Sequence, residues 1–327
     1  MLVDSFGRIH DYLRISLTDK CNLRCTYCMP AEGLKDALQG AQRMTAQEIN
    51  AIAGVFVRLG VRKIRLTGGE PLVRKDAREI IDLLSHLPVQ LTLTTNGVYM
   101  DDFVDTFSSA GIRSVNVSLD ALTPATFQSL TLRNQFDKVK SNILLLLEKG
   151  FHVKVNMVVM KGLNHLEVVD FVQWTKEFPL HVRFIEYMPF RENGWNRDTL
   201  FSSAEILQLL RKEFEVERLS DRPNDTARNY RAAGHQGTFA VISTMTDPFC
   251  DTCNRLRLTA DGKMKNCLFS AGEVDILSAF RQGEDIEAYI LQCVKDKKAA
   301  RGGQMEGSLD ELKADEINNR SMVAIGG

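Results

Sequence analysis

Residues 12–28 read YLRISLTDKCNLRCTYC, a short alternating run that leads into three closely spaced cysteines. In an extended strand Leu13 and Ile15 share one face, and Arg14 and Ser16 the other. The same parity recurs along the first half of the chain. In KIRLT (63–67), Lys63, Arg65 and Thr67 oppose Ile64 and Leu66. In QLTLTT (90–95), Thr92 and Thr94 oppose Leu91 and Leu93, and in SVNVSL (114–119), Asn116 and Ser118 oppose Val115, Val117 and Leu119. VKVNMVV (153–159) sets Lys154 and Asn156 against Val153 and Val155, and HVRFIEY (181–187) sets Arg183 against Val182 and Phe184. Helical patterns separate these runs. TAQEINAIAGVFVRLG opens with Thr45 and Glu48 in capping-box spacing, and KDAREIIDLLSHL, DDFVDTFSSAG, QFDKVKSNILLLLEKG and LEVVDFVQWTKE follow between later strands. Six β-then-α units predict an α/β fold: a parallel sheet with right-handed crossovers, curled into a partial (β/α)6 TIM-like barrel.

Strands of an ordinary packed barrel are apolar on both faces. Here the apolar faces suit an outer layer of helices, which leaves the polar faces to share a wet lumen carrying several cations, suited to a compact polyanion. A half-solvated antiparallel sheet alternates as cleanly, but the long helical connections weigh against it. After MPFRENGWN the pattern changes to a helix (SSAEILQLLRKEF), a strand-like GTFAVIST and a second cysteine group. Residues 1–200 are therefore expected to form the barrel and residues 201–327 a C-terminal region packed on it.

The chain has 327 residues and a net charge of −1, which argues against a general nucleic-acid binder. No stretch has the length or flanks of a membrane span or secretory signal, so a cytoplasmic location with no membrane association is expected. Of seven cysteines, six fall in two triplets, Cys21, Cys25, Cys28 and Cys250, Cys253, Cys267, which points to metal rather than disulfides. Cys293, alone on a helical stretch, reads as a packing residue. An iron–sulfur cube has four irons and usually four thiolates. Three thiolates on one tight loop would hold three irons and leave the fourth open to a small molecule. A zinc knuckle completed by a distant side chain is the bland alternative at Cys21–Cys28. At the second triplet, C-x2-C-x13-C, a zinc ribbon completed by His235 or His181 competes more strongly.

The spacing C-x3-C-x2-C with Tyr27 before the third cysteine resembles the radical S-adenosylmethionine superfamily. GGEP (68–71), TTNG (94–97) and Ser118 match further elements of that superfamily, and all fall at carboxyl ends of strands. With VRFIEYMP and FCDTCNRLRLTADGKMKNCLF, nearly the whole chain resembles the GTP 3′,8-cyclase family, molybdenum cofactor biosynthesis protein A.

That resemblance implies two [4Fe-4S] clusters, the first on Cys21, Cys25 and Cys28 and the second on Cys250, Cys253 and Cys267. It implies S-adenosyl-L-methionine at the first cluster, with Tyr27, Gly69, Ser118 and Met188 in contact, and guanine at the second. GTP contacts map to Arg14, Lys63, Arg65, Thr94, Lys154, Arg183, Arg255 and Arg257. The implied reaction removes the ribose 3′ hydrogen of GTP and joins that carbon to guanine C8. The product is 3′,8-cyclo-7,8-dihydro-GTP, the first step of molybdenum cofactor biosynthesis. Radical chemistry is carried by the cofactors, so no side chain is assigned as catalytic. Implied partners are an electron donor such as flavodoxin, the downstream cyclic pyranopterin monophosphate synthase, and a second copy in a possible homodimer. The terminal Gly326 and Gly327 resemble a double glycine that reaches the active site in this family, and the apolar SMVAI before them suits docking. The competing readings are a peptide-modifying radical enzyme with an auxiliary cluster and a non-catalytic zinc or electron-transfer protein.

Overall fold

Strand and helix alternate as the sequence pattern requires. The computed structural model describes residues 1–29, 38, 43–305 and 307–326, so Pro30 of the first cysteine motif and Gly327 lie outside the described residues. The first half contains β1 (Tyr12–Ser16), α1 (Ala46–Arg58), β2 (Lys63–Thr67), α2 (Ala77–Ser85), β3 (Gln90–Thr95), α3 (Met100–Ser109) and β4 (Ser114–Ser118). It continues through α4 (Pro124–Thr131), α5 (Phe136–Glu148), β5 (His152–Val159), α6 (Val168–Glu177) and β6 (His181–Glu186). The capping box at α1 forms, with the Glu48 amide donating to Thr45 Oγ1 at 3.2 Å and the Thr45 amide to Glu48 Oε2 at 2.7 Å.

β1 to β6 pair in parallel in sequence order. Leu13, Ile15, Ile64, Leu66, Leu93, Val115, Val117, Val153, Val155, Val182 and Phe184 are all fully buried, so the apolar parity faces form the core beneath the helices. The two end strands of the whole sheet, Val216–Arg218 and Val274–Asp275, do not pair with one another, so the barrel is open.

The C-terminal region adds α7 (Ser203–Glu213), β7 (Val216–Arg218), β8 (Arg228–Ala232), β9 (Thr238–Ile242), β10 (Arg255–Leu258), β11 (Lys263–Lys265) and β12 (Val274–Asp275). α8 (Ile276–Arg281), α9 (Ile286–Lys295) and α10 (Met322–Ile325) complete it. Its strands extend both edges of the first sheet. β10 pairs in parallel with β1, β9 in parallel with β6, and β11–β12 and β8–β7 continue as antiparallel ribbons. One helix absent from the sequence reading is α4, in a Thr- and Ser-rich stretch opened by the Thr123 cap and Pro124. No described helix is long and apolar enough to cross a membrane.

Candidate active site

The parallel register lines up the polar faces strand by strand. One rung runs Arg257–Arg14–Arg65–Thr92 across β10, β1, β2 and β3. A second runs Thr94–Asn116–Lys154–His181 across β3 to β6, and Asn156 stands beside Arg183. Tyr12 lies between Arg255 and Lys63. Eight residues from six strands thus meet on one concave face: Arg14, Lys63, Arg65, Thr94, Lys154, Arg183, Arg255 and Arg257. The face is strongly cationic. Among the described residues, the carboxylate ion pairs do not include Lys63, Arg65, Lys154, Arg183, Arg255 or Arg257.

Neutral groups orient these cations instead. Arg65 donates to Leu93 O at 2.9 Å, to Thr94 Oγ1 at 3.2 Å and to the Tyr12 hydroxyl, and Arg183 donates to Asn156 Oδ1 at 2.9 Å. The Lys63 ammonium sits 4.9 Å from the centre of the Tyr12 ring. Burial, followed by the charges of Arg183, Arg65 and Lys63, pushes the Lys154 ammonium down to about 8. Burial and Arg65 likewise depress Arg183. For Tyr12, burial favours the neutral phenol, yet Arg65, Arg14 and Lys63 together pull it down to about 7. Asp225 offsets the charges of Lys63, Lys154 and Arg183 only in part, and a cation array held this close is built for a multiply charged anion, whose phosphate oxygens arginine forks suit. Tyr12 was missed in the sequence although it shares the parity of Arg14.

The first cysteine loop hangs from the carboxyl end of β1. Arg24 and Thr26 amides donate to the Thr131 and Leu130 carbonyls at 2.9 Å each, so α4 braces the loop. Cys28 and Met29 amides both return to Cys25 O at 3.0 Å. On its other side the loop entrance rests on GGEP. A Cβ on Gly69 would lie 2.4 Å from Lys20 O, and one on Gly68 would lie 2.6 Å from Thr18 O, so only glycine permits this approach. Glu70, fully enclosed, accepts from Leu72 N, Thr95 Oγ1 and Asn96 N, and thereby ties GGEP to TTNG. Asn96 in turn reaches Cys21 Sγ at 3.6 Å. Tyr27 donates to Asp120 Oδ2 at 2.6 Å and meets Tyr187 edge to face. Ser118 ends β4 beside Asn156, and the Met188 carbonyl is held by Asn193 at 2.9 Å. Tyr27, Met29, Arg24, Thr26, Met160 and Tyr187 line a rim cavity of about 410 Å³. Of these supports, Glu70, Asn96 and Asp120 were not singled out from the sequence.

Burial pushes the Cys21 thiol up to about 11 and the Cys28 thiol to about 12, and Cys25 well above the usual thiol range. Metal binding at this loop must therefore expel protons. Cys250 is also raised by burial. At Cys253 burial is overcome by Arg255 and Lys297, which bring the thiol down to about 6.

Among the described residues no three His, Cys, Asp or Glu side chains converge tightly enough to hold one metal ion, although each triplet's thiols are close enough to repel one another when ionised. The mutual repulsion places the thiols of each triplet near one another, as three ligands of one polynuclear cluster must be. The two histidines that could complete a zinc site at the second triplet lie on the β6–β9 side of the sheet, whereas β10, which follows Cys253, pairs with β1 at the other side. His235 Nδ1 is occupied by Thr175 Oγ1 at 2.9 Å and Val172 O at 3.1 Å, and His181 Nδ1 by Thr238 Oγ1 at 2.8 Å. Each triplet offers the all-thiol donor set that iron–sulfur clusters take. Cys293 is buried in the core, as a packing residue should be.

The C-terminal tail closes the array. Val323 and Ile325 are buried, and the Gly326 carbonyl accepts from Arg257. A Cβ on Gly326, at φ +85°, would come 3.1 Å from Ser16 Cβ and Thr67 Cγ2, so the tail lies directly on the ends of β1 and β2.

Residues 15–175 match the radical SAM superfamily and residues 180–302 match Molybdenum Cofactor Synthesis C. The chain is 46% identical over its full length to the mitochondrial GTP 3′,8-cyclase of Arabidopsis thaliana, covering 84% of that protein. It is 41% identical over its full length to GTP 3′,8-cyclase of Rhodopirellula baltica, covering 92% of it. Molybdenum cofactor biosynthesis protein 1 of Mus musculus is 44% identical over 99% of this chain, which spans 51% of that longer protein. Among solved structures, Streptococcus suis SuiB superposes with a TM-score of 0.64 at 16% identity, over 90% of this chain and 67% of SuiB, a likeness of fold.

Proposed function

We propose, from the premise that this chain belongs to the GTP 3′,8-cyclase family of radical S-adenosylmethionine enzymes, that its cationic strand face holds the triphosphate of GTP between two three-thiolate [4Fe-4S] sites. The chain is a radical enzyme of molybdenum cofactor biosynthesis that converts GTP to 3′,8-cyclo-7,8-dihydro-GTP. When bound and reduced, the first cluster together with S-adenosylmethionine supplies a 5′-deoxyadenosyl radical as hydrogen acceptor.

The observation that carries the placement of GTP is the set of Lys63, Arg65, Lys154 and Arg183 on one concave face, Arg65 buried and the other three half-buried, with none of them in a carboxylate ion pair among the described residues. Their charges repel one another, and several phosphate oxygens at this face would relieve the repulsion. Arg14 and Arg257 extend this face toward the second triplet, and Arg255 lies against Cys253 at 3.3 Å. Cys21, Cys25 and Cys28 would hold the first cluster, and Tyr27, Gly69, Ser118 and Met188 surround the place for the bound S-adenosylmethionine. The rim cavity beside Tyr27 has room for its adenosine. Cys250, Cys253 and Cys267 would hold the second cluster, facing the guanine. Fixed positions for both ends of GTP present the ribose to its hydrogen acceptor and exclude competing groups. The tail, packed over β1 and β2, helps to exclude water.

A one-electron donor such as flavodoxin and a synthase that takes up the cyclised nucleotide are the partners this chemistry requires. Anaerobic incubation of iron-loaded protein with GTP, S-adenosylmethionine and dithionite, followed by chromatographic separation and mass analysis of the nucleotides, tests the reading. A product isomeric with GTP and chemically distinct from it is expected; recovery of GTP alone, with intact clusters, contradicts it.

A further inference from the structure

Lys297, just beyond α9, is 4% exposed. Its ammonium donates to Asn266 O at 2.6 Å, Arg255 O at 3.0 Å and Cys253 Sγ at 3.7 Å. The carboxylate ion pairs of the described residues do not include it. A buried ammonium facing only neutral acceptors is costly, whereas an anionic sulfur ligand beside it removes most of that cost. The surroundings are built to keep it there. Asn266, whose carbonyl takes the shortest of the three bonds, is anchored through its side chain to Cys293 O at 2.8 Å. Arg8 reaches from the N-terminus to Lys298 O at 2.8 Å, Ala299 O at 2.7 Å and Cys250 O at 2.8 Å, so the segment after Lys297 is bound to the first cysteine of the triplet. Asp4 holds Arg8 in turn through Nε at 2.6 Å. The ammonium therefore joins the two arms of the site: the C-x2-C turn with Cys253, and the strand end that carries Cys267.

We propose that Lys297 is a positioning residue of the second cluster, fixing the spacing of its three thiolates and placing a positive charge against the Cys253 sulfur, which raises the cluster's reduction potential. This rests on the reading that Cys250, Cys253 and Cys267 hold a cluster. Hydrogen bonds and charge at ligand sulfurs are established levers on such potentials. Arg255 touches the same sulfur but also faces the nucleotide side of the array, so it serves two ends; Lys297 serves the cluster alone.

The test is an EPR-monitored redox titration of the loaded full chain, with S-adenosylmethionine added to mark the first cluster's signal. Lys297→Met fills the space without charge. Its second cluster is expected to become harder to reduce by about tenfold, which is about 59 mV for a one-electron couple. The first cluster's potential and its cleavage of S-adenosylmethionine stay as in the parent, and Lys297→Arg returns the second potential to near the parent value. Selective loss of the second cluster in Lys297→Met, restored by Lys297→Arg, supports the same role. If Lys297→Met does not fold, Lys297→Gln, which keeps a donor but no charge, takes its place with the same expectation. Full iron content with an unshifted second potential in the uncharged variant overturns the proposal. Zinc, or no metal, at Cys250, Cys253 and Cys267 in the parent chain is a different result, and removes the cluster reading beneath it.

Discussion

Replacing Lys154 with methionine should make the nucleotide-free protein more stable and a worse GTP binder. Lys154 sits in register between Asn116 and His181, and burial followed by Arg183, Arg65 and Lys63 holds its ammonium near 8 instead of 10.5, with only Asp225 opposing them. That gap corresponds to about 3 kcal/mol of disfavoured charge. The side chain keeps some solvent contact, so about 1–2 kcal/mol of stabilisation at pH 7 is the expected gain when methionine fills its place. The sign follows from linkage: a cation depressed by folding carries its full penalty below about 8, and the penalty fades as pH rises from about 8 toward 10.5. Anaerobic urea unfolding of nucleotide-free parent and Lys154→Met should thus separate at pH 7 and converge near pH 10. Calorimetry should show GTP binding weakened about 10- to 100-fold, the loss of one charge-assisted phosphate contact. A variant that is less stable at pH 7, or that binds GTP as tightly as the parent, refutes the account of this face as a strained phosphate cradle.

Three further substitutions probe other parts of the site. Tyr12, one of six tyrosines, should show phenolate absorbance near neutral pH in the nucleotide-free protein; GTP should diminish it by competing for Arg65 and Lys63, and Tyr12→Phe should abolish the signal. An ultraviolet titration with no tyrosine ionising below about 9 would contradict this. Gly69→Ala, whose methyl would press on Lys20 O at 2.4 Å, should cost the first cluster, about four irons per chain, and leave the second in place by iron analysis. Arg320 pairs with Asp261 at 2.9 Å and Glu273 at 2.5 Å and so ties the tail to the β10–β11 turn and to the segment entering β12. Arg320→Ala should expose the tail to carboxypeptidase and lower GTP turnover without changing iron content. Unaltered turnover with a readily digested tail would show that docking is dispensable.

The strand parity was readable because one face of each barrel strand must meet helices, and Leu13, Ile64, Leu93, Val117, Val155 and Val182 all took that face. The cysteine triplets were readable from local spacing alone. What escaped the sequence depends on distant partners or on weak local pattern. The short edge strands β7, β8, β11 and β12 carry mixed polar residues that only ladder pairing makes strands, and α4 is rich in Thr and Ser, residues that favour caps over helix interiors. Lys297 lies in the charged run KDKK, 44 residues from Cys253, and Arg320 is 59 residues from Asp261, so neither shows its role locally. His235 and His181 looked able to ligate zinc in the sequence, and only the strand order, which puts them at β6–β9 while β10 joins β1, sets them apart from the second triplet. Gly69 is required for close backbone approach, a reason that its place in GGEP alone did not give.

The crystal structure of the anaerobically loaded chain with GTP bound tests the central claim most directly. It should place the triphosphate among Lys63, Arg65, Lys154 and Arg183, the base at the Cys250–Cys253–Cys267 cluster, and one iron of each cluster without a protein ligand. A fourth side chain closing either cluster, or a triphosphate bound off this strand face, would contradict it.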